Sequence, residues 1–163
     1  MRDGSGNEWF CVFGEEGAFL KGFDHESPMS PWAVNPKQIW PGVLDQVPQD
    51  FKRFTVEPAF SMENATFCIW RSHTDDKWHK GKIEFPSGYD DPDGSADLLS
   101  LLDGEPEQYK SWAESYYERS VPVELVEHIY RHRKLTDEII LGLNPECDVD
   151  ALSADIAEIG YPE

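Results

Sequence analysis

The sequence predicts an α+β fold, with a small antiparallel β-sheet from the N-terminal half and a C-terminal set of four to five helices packed on it. All nine Phe and five of the six Trp residues precede residue 86, and both types favour pleated, half-buried surfaces. Residues 86–163 are rich in helix formers, with apolar positions at helical spacing. No strand pattern follows residue 85, which argues against alternating βαβ units.

Short apolar runs separated by turn residues predict the strands. Four segments are predicted to be strands: Trp9–Gly14, Ala18–Phe23, Thr66–Arg71 and Lys82–Phe85. The first two flank a hairpin turn at residues 15–17, and the last two flank a turn around Thr74–Gly81. Residues 28–48 contain five prolines, which break regular structure and predict a long ordered loop. A single helical turn is predicted at Asp50–Phe54.

Capping residues and apolar stripes predict the helices. The predicted helices are Ala96–Leu102 with Ser95 as N-cap, Pro106–Arg119, one from about Pro122, one capped by Thr136, and one opened by Asp148. The second carries an apolar stripe of Tyr109, Trp112, Ala113 and Tyr116. The regular apolar patterns around Trp9, Trp70 and Trp112 predict that these three residues lie in the core.

Length and charge limit the possible functions. The chain has 163 residues, with 14 Lys and Arg against 32 Asp and Glu, so its formal net charge is −18. This length predicts a single domain over residues 1–163, with a strand- and loop-rich half (1–85, net charge −4) and an acidic helical half (86–163, net charge −14). Because nucleic-acid affinity depends on Lys and Arg, we expect no nucleic-acid partner.

We expect a cytoplasmic protein of bacterial type, because the sequence contains no segment typical of a membrane span or a signal peptide. No apolar run approaches the roughly 20 residues of a membrane span, and the start MRDGSGNEWF has no apolar stretch typical of a signal peptide. The three cysteines, Cys11, Cys68 and Cys147, form no C-x-x-C pair, and their odd number suits a reducing compartment. Nucleotide-binding glycine motifs are absent, so we expect no cofactor.

Two loops hold the candidate catalytic residues. They are Asp24, His25 and Glu26 in the first loop, and His73, Asp75 and His79 in the second. Histidine and carboxylate side chains supply general acids and bases, so the loops can form a site if they meet in space. No specific catalytic motif supports this reading, because the nucleophile elbow and the P-loop are both absent.

Metal binding has only weak candidates. Asp91, Asp93 and Asp97 follow Asp90 in an oxygen-rich loop of the kind that holds calcium, but the spacing does not match an EF-hand. The same residues are ordinary turn formers and helix caps. His128 and His132 share a helix face, but neighbouring cations disfavour a metal ion there. The sequence therefore predicts no metal site, with the aspartates as the alternative.

The acidic second half predicts a basic protein partner. We expect an immunity- or inhibitor-type protein, without catalytic activity, that neutralises such a partner. The candidate partner-binding residues are Trp32, Trp40, Asp137, Glu138, Asp148, Asp150, Asp155 and Glu158. Trp32 and Trp40 lie in the proline-rich loop and can instead close the open end of the sheet.

A small hydrolase or carbohydrate-binding domain is the alternative function. Aromatic platforms beside paired carboxylates suit glycoside chemistry. Its site would lie in the loops around Asp24–Glu26, Trp32, Trp40 and His73–His79. A calcium-responsive module using Asp90–Asp97 is a third possibility. The sequence does not predict the oligomeric state.

Overall fold

Four antiparallel strands form one sheet in which neighbours along the chain are neighbours in space. The computed structural model describes residues 1–2 and 4–162, and its strands are β1 Glu8–Gly14, β2 Gly17–Phe23, β3 Phe67–Ser72 and β4 His79–Lys80. Gly17 closes the β1–β2 hairpin with a φ of 132°, a conformation that glycine adopts without strain. The first three strands confirm the predictions to within one residue at each end.

The fourth strand is not where the sequence predicts it. β4 lies inside the predicted turn, and the predicted strand Lys82–Phe85 has no β-structure. Two glycines give the physical reason. A Cβ on Gly81 would collide with the Gly42 carbonyl oxygen, and a Cβ on Gly42 would collide with the carbonyl oxygen of Lys82. The chain beyond Gly81 therefore runs against the proline-rich loop instead of along β3.

The proline-rich loop and the chain after it pack phenylalanine rings onto one face of the sheet. They contain four 3-10 helices: Pro31–Ala33, Gln49–Val56, Pro58–Phe60 and Met62–Asn64. The buried ring of Phe19 on β2 lies 6.1 Å from Phe51, 5.5 Å from Phe54 and 6.5 Å from Phe60, measured between ring centroids. Such ring contacts add to the hydrophobic stabilisation. The helical turn predicted at Asp50–Phe54 lies within the second 3-10 helix.

A fully buried lysine lies within the same face of the sheet. Lys21 Nζ lies 2.8 Å from Glu8 Oε1 and within 6 Å of the ring centroids of Phe10 and Phe23. Arg2 Nε donates to the other Glu8 oxygen at 3.1 Å. Burial lowers the pKa of Lys21, and Glu8 offsets only part of this effect. Burial acts to raise the pKa of Glu8, but Lys21 and Arg2 outweigh it, so that pKa is lowered.

Five α-helices follow the sheet in the described residues. They are α1 Ser95–Leu98, α2 Pro106–Tyr117, α3 Val123–Tyr130, α4 Asp137–Leu143 and α5 Val149–Glu158. The Thr136 side chain accepts a hydrogen bond from Ile139 N, and the Asp148 side chain accepts one from Ala151 N. These bonds satisfy amide groups that the first turn leaves unpaired. They confirm the predicted starts of α4 and α5.

The first predicted helix is shorter than expected. The segment Ala96–Leu102 is divided, because α1 ends at Leu98 and a separate 3-10 helix covers Ser100–Leu102. The prediction of Ser95 as N-cap is also wrong. Gly94 occupies the cap position, with a φ of 75° that favours glycine. The shortened helix buries Leu98 against side chains of β2 and β3 on the second face of the sheet.

The chain divides into two compact units between Leu99 and Ser100. The first unit contains the sheet, the proline-rich loop and α1, and the second contains α2 to α5. Strands in the N-terminal half and helices in the C-terminal half confirm the α+β class. A single domain, with helices packed on the sheet, stays a prediction. Within residues 1–2 and 4–162, no helix has the length and apolar character needed to cross a membrane.

Replacing Glu8 tests the buried ion pair. We expect Glu8→Gln to lower the free energy of unfolding at pH 7 by about 3 kcal/mol, because it leaves the Lys21 charge buried without its carboxylate. The double variant Glu8→Leu/Lys21→Met removes both charges, and we expect it to regain most of this loss. Urea unfolding measures both values, and equal losses in the two variants would contradict this account.

The same pair predicts a pH dependence. The folded-state pKa of Glu8 is below its ordinary value of 4.5, so its stabilising contribution is complete above that pH. The contribution is lost as the pH falls below 4.5 and through the lowered pKa. Urea unfolding between about pH 3 and 7 should therefore show a weaker acid dependence for Glu8→Gln than for the wild type. Parallel pH profiles for the two proteins would exclude Glu8 as a source of acid sensitivity.

Candidate functional site

The first group of predicted catalytic residues lies where β2 ends. The His25 backbone N donates to Asn7 Oδ1 at 3.0 Å, and His25 Nδ1 lies 2.8 Å from the same oxygen. Asp24 Oδ1 accepts a hydrogen bond from the Glu26 backbone N at 2.9 Å. His25 Nε2 lies 3.9 Å from Glu26 Oε1. These contacts are typical of an ordered turn that leaves an exposed histidine beside a carboxylate.

The second group lies in the turn between β3 and β4. Asp75 Oδ2 accepts a hydrogen bond from the Ser72 backbone N at 2.8 Å, and it lies 3.6 Å from His79 Nε2. His73 Nε2 lies 3.0 Å from the Gly14 carbonyl oxygen. The fold therefore brings Asp75 and His79 together as an acid–imidazole pair and directs His73 toward the β1–β2 hairpin.

The strand register separates these two groups. In the antiparallel pair of β2 and β3, Gly22 is opposite Phe67 and Gly17 is opposite Ser72. The loop at Asp24 therefore follows one end of the pair, and the turn at His73 follows the other. The five residue-to-residue steps from Gly17 to Gly22, at about 3.3 Å each, separate these ends by about 17 Å. The fold does not bring the two loops into one site.

The two loop tryptophans differ in exposure. Trp32 is 65% exposed, with Lys37 Nζ 4.1 Å from its ring centroid. Its Nε1 donates to Asn64 Oδ1 at 3.1 Å. Trp40 is half-buried and packs against the phenylalanine-rich core, while its Nε1 donates to the Glu84 carbonyl oxygen at 3.0 Å. Trp32 therefore presents its ring on the surface, whereas Trp40 is partly a core residue.

A cavity of about 530 Å³ lies beside Trp40 in the first unit. Its walls include Met29, Ile39 and the Trp40 ring, with Asp45 and Glu84 as acidic members. A concave, mostly apolar surface with a few polar groups is the usual form of a small-molecule site. Asp45 and Glu84 were not among the predicted site residues, because nothing in their local sequence links them to Trp40.

The aspartate-rich loop serves as the cap of α1. Asp91 Oδ1 and Oδ2 accept hydrogen bonds from the backbone N atoms of Ala96 and Asp97 at 3.1 and 3.0 Å. The buried Asp93 accepts one from Ser95 N at 3.0 Å. Within residues 1–2 and 4–162, no three His, Cys, Asp or Glu side chains are grouped closely enough to hold a metal ion. Two of the three candidate ligands, the carboxylates of Asp91 and Asp93, are thus bound by backbone amides.

Two cysteines are poorly suited to nucleophilic chemistry. Cys68 is fully buried in the core of the first unit, and burial raises the pKa of its thiol to about 12. Cys11 is half-buried on the other face of the sheet, and burial raises its pKa as well. Because the thiolate is the nucleophile, the raised pKa makes each of these thiols less reactive than an exposed cysteine at neutral pH.

The predicted partner-binding carboxylates of α4 and α5 all lie on the surface. The six exposed residues are Asp137, Glu138, Asp148, Asp150, Asp155 and Glu158. In the described part of the chain, none of them forms a salt bridge. From Ser100 onward the sequence has 15 acidic and five basic residues. The second unit therefore presents negative charge that its own cations do not neutralise.

An exposed aromatic cluster on α2 is the main feature that the sequence analysis missed. The cluster consists of Tyr109, Trp112, Tyr116 and Tyr117. The prediction that Trp112 lies in the core is wrong, because Trp112 is 37% exposed. Trp70 is buried as predicted, and Trp9 is half-buried. On α2 only the small Ala113 is buried. Tyr109 is half-buried, and the other three rings of the cluster are exposed.

Helix geometry alone does not record this exposure. At 100° per residue, the four aromatic positions cover an arc of about 140° around α2, and Ala113 lies within the same arc. Ala113 is buried, whereas Tyr116, about 60° away around the helix, is 66% exposed. The spacing is therefore that of a core face, and the packing of the neighbouring segments decides which of these residues stay on the surface.

The aromatic cluster borders a groove formed by α2, α3 and the end of α4. The groove has a volume of about 630 Å³, and its lining includes Tyr109, Ala113, Tyr117, Val126, Tyr130 and Leu143. Burial is the main cause that raises the pKa values of Tyr109 and Tyr130. Arg119 closes one side, where its guanidinium donates to the Leu143 carbonyl oxygen at 2.6 Å. We call this feature the helical groove.

Calcium titration tests the aspartate-rich loop. We expect calcium and a chelator to give the wild-type protein the same thermal midpoint, since backbone amides occupy the carboxylates. We expect Asp91→Ala to lower the free energy of unfolding by about 1 kcal/mol through loss of the cap. Asp90→Ala is the matched control, because Asp90 is exposed outside the cap. A calcium-dependent rise in the midpoint that Asp91→Ala abolishes would identify an ion site instead.

The chain thus carries three candidate binding features, each inside one unit. They are the cavity beside Trp40, the carboxylates of α4 and α5, and the aromatic cluster with the helical groove. Comparisons of the chain with protein-family models, curated protein sequences and solved structures find no match.

Proposed function

We propose that this chain is a non-catalytic acidic protein-binding module, of the immunity or inhibitor type, that neutralises a basic protein partner. The exposed carboxylates of α4 and α5 supply the charge for such a partner. A surface with one sign of charge accelerates the encounter with an oppositely charged protein and disfavours like-charged competitors. It is also the function that the negative net charge of residues 86–163 predicts.

The position of two carboxylates on α5 is the observation that carries the proposal. Asp155 and Glu158 lie in the last turn of α5, which contains no basic residue. Negative charge near a helix C-terminus is unfavourable, because the carbonyl groups there already carry partial negative charge. Asp137 and Glu138, by contrast, lie in the first turn of α4, where the dipole favours them. Helix stability therefore explains the acids of α4 but not those at the end of α5.

Carbohydrate binding is the second candidate function, and the cavity beside Trp40 favours it. An aromatic wall with Asp45 and Glu84 suits a sugar, since the ring can stack on the sugar and the carboxylates can accept hydroxyl hydrogen bonds. A hydrolase that combines both histidine-containing loops has less support, because the register separates those loops. Binding of oligosaccharides that Trp40→Ala abolishes would favour this candidate.

Charge removal tests the proposed function. The test variant carries Glu138→Gln, Asp150→Asn, Asp155→Asn and Glu158→Gln, and it keeps Asp148 because that residue caps α5. The control variant neutralises four exposed acids of the first unit: Glu15→Gln, Asp50→Asn, Asp76→Asn and Asp90→Asn. Both variants lose the same total charge, so any difference between them reports the position of the charge.

We expect wild-type protein, used as bait in a lysate of its source cell, to retain a basic protein that elutes as salt rises. With that protein purified, the association rate constant should fall about tenfold or more for the test variant and about twofold or less for the control at low salt. Stopped-flow or surface plasmon resonance measures this rate. Equal rates for the two variants, or a captured partner without net positive charge, would overturn the proposal.

A further inference from the structure

The aromatic cluster exposes three of its four rings, those of Trp112, Tyr116 and Tyr117. The rings of Trp112 and Tyr116 are stacked, with centroids 5.2 Å apart and an interplanar angle of 17°. The Tyr117 ring stands edge-on to both, at 82° and 83°. Tyr116 and Tyr117 are 66% and 52% exposed. Trp and Tyr are typical of interaction hot spots, because they bury a large area for a small loss of side-chain entropy.

The chemistry of the cluster favours cations. The guanidinium carbon of Arg119 lies 5.8 Å from the centroid of the Tyr117 ring, so the chain itself already places a cation beside this surface. The faces of aromatic rings attract Lys and Arg, with Trp the strongest. On α2 and directly after it, three residues are acidic and two are basic. The acidic ones are Glu107, Glu114 and Glu118, and the basic ones are Lys110 and Arg119. Lys110 is already paired with Glu114 at 3.0 Å.

The helical groove continues directly from the cluster. Tyr109 and Tyr117 belong to the cluster and also line the groove. The buried side chains of Ala113 and Val126 lie deeper in its lining. An apolar groove between helices, bordered by exposed rings, is the arrangement that receives one face of an amphipathic helix. The charged member of its lining, Arg119, is already bound to the Leu143 carbonyl oxygen. Side chains one helical turn apart on such a helix can enter the groove and contact the rings together.

From these observations we infer that the helical groove and the aromatic cluster together bind a basic amphipathic helix of a partner protein. Leu- or Phe-sized side chains enter the groove, and an Arg or Lys about one turn away stacks on Trp112 and Tyr116. This inference rests on the proposed function and adds the anchoring site to it. The carboxylates of α4 and α5 accelerate the encounter, whereas the aromatic cluster slows dissociation.

A pair of synthetic peptides tests the inference with the full chain. The basic probe is an 18-residue helix with Leu at positions i, i+3, i+4 and i+7 and Lys or Arg elsewhere, and the control peptide replaces every Lys and Arg by Gln. Trp112→Ser/Tyr116→Ser removes the cluster. Phe13→Ser/Tyr89→Ser is the matched control, since both residues are exposed aromatic residues of the first unit (80% and 57%). Circular dichroism and urea unfolding establish that each variant is folded.

We expect the basic peptide to bind the wild type and the aromatic control variant with equal affinity in isothermal titration calorimetry. The cluster variant should bind about tenfold or more weakly, with an unchanged salt dependence. The test variant lacking four carboxylates should instead show a reduced salt dependence. The Gln peptide should bind about tenfold or more weakly than the basic peptide.

Three results would overturn the inference. Trp112→Ser/Tyr116→Ser could bind the basic peptide with the affinity of the wild type, while the test variant lacking four carboxylates binds it more weakly. In that case the anchoring site is wrong and the proposed function stands. If the Gln peptide binds as tightly as the basic peptide, the basic partner and the proposed function both fail. If sedimentation shows a wild-type dimer that Trp112→Ser/Tyr116→Ser dissociates, the occupant of the surface is a second copy of this chain.

Discussion

The antiparallel register of β2 and β3 is the constraint that positions the rest of the first unit. It places Gly17 opposite Ser72 and Gly22 opposite Phe67, so each loop belongs to one end of the sheet. The same pairing stacks Phe19 of β2 under the rings of the 3-10 segments. Because these rings are closely packed, the proline-rich loop is held against one face, and the cavity beside Trp40 forms at its edge.

The carboxylates discussed above have bonding partners in the first unit and lack cationic partners at α4 and α5 of the second. In the first, the buried Lys21 is neutralised by Glu8, and Asp91 and Asp93 are bound by backbone amides. In the described residues of the second, the acids of α4 and α5 have no cationic partner. Pairing or capping explains why these three carboxylates of the first unit are where they are. The excess at the end of α5 has no such explanation, which is why we assign it to binding.

The two surfaces proposed for partner binding contribute to different steps of binding. Carboxylates act over about a Debye length and affect mainly the rate of encounter, whereas buried aromatic contacts act only after docking. The small enclosed core of the second unit packs against Tyr109 but leaves the rings of Trp112, Tyr116 and Tyr117 exposed. We propose these three exposed rings as the surface that a partner protein contacts.

The sequence by itself determined the α+β class, three of the four strands and the starts of α4 and α5. These features depend on local patterns, namely alternation, apolar periodicity and capping by Thr136 and Asp148. Tertiary structure alone decided that Gly81 and Gly42 draw the chain away from β3, that the two histidine-containing loops lie apart, and that Trp112 is exposed. Each of these depends on the close approach of residues distant along the chain, which no local pattern records.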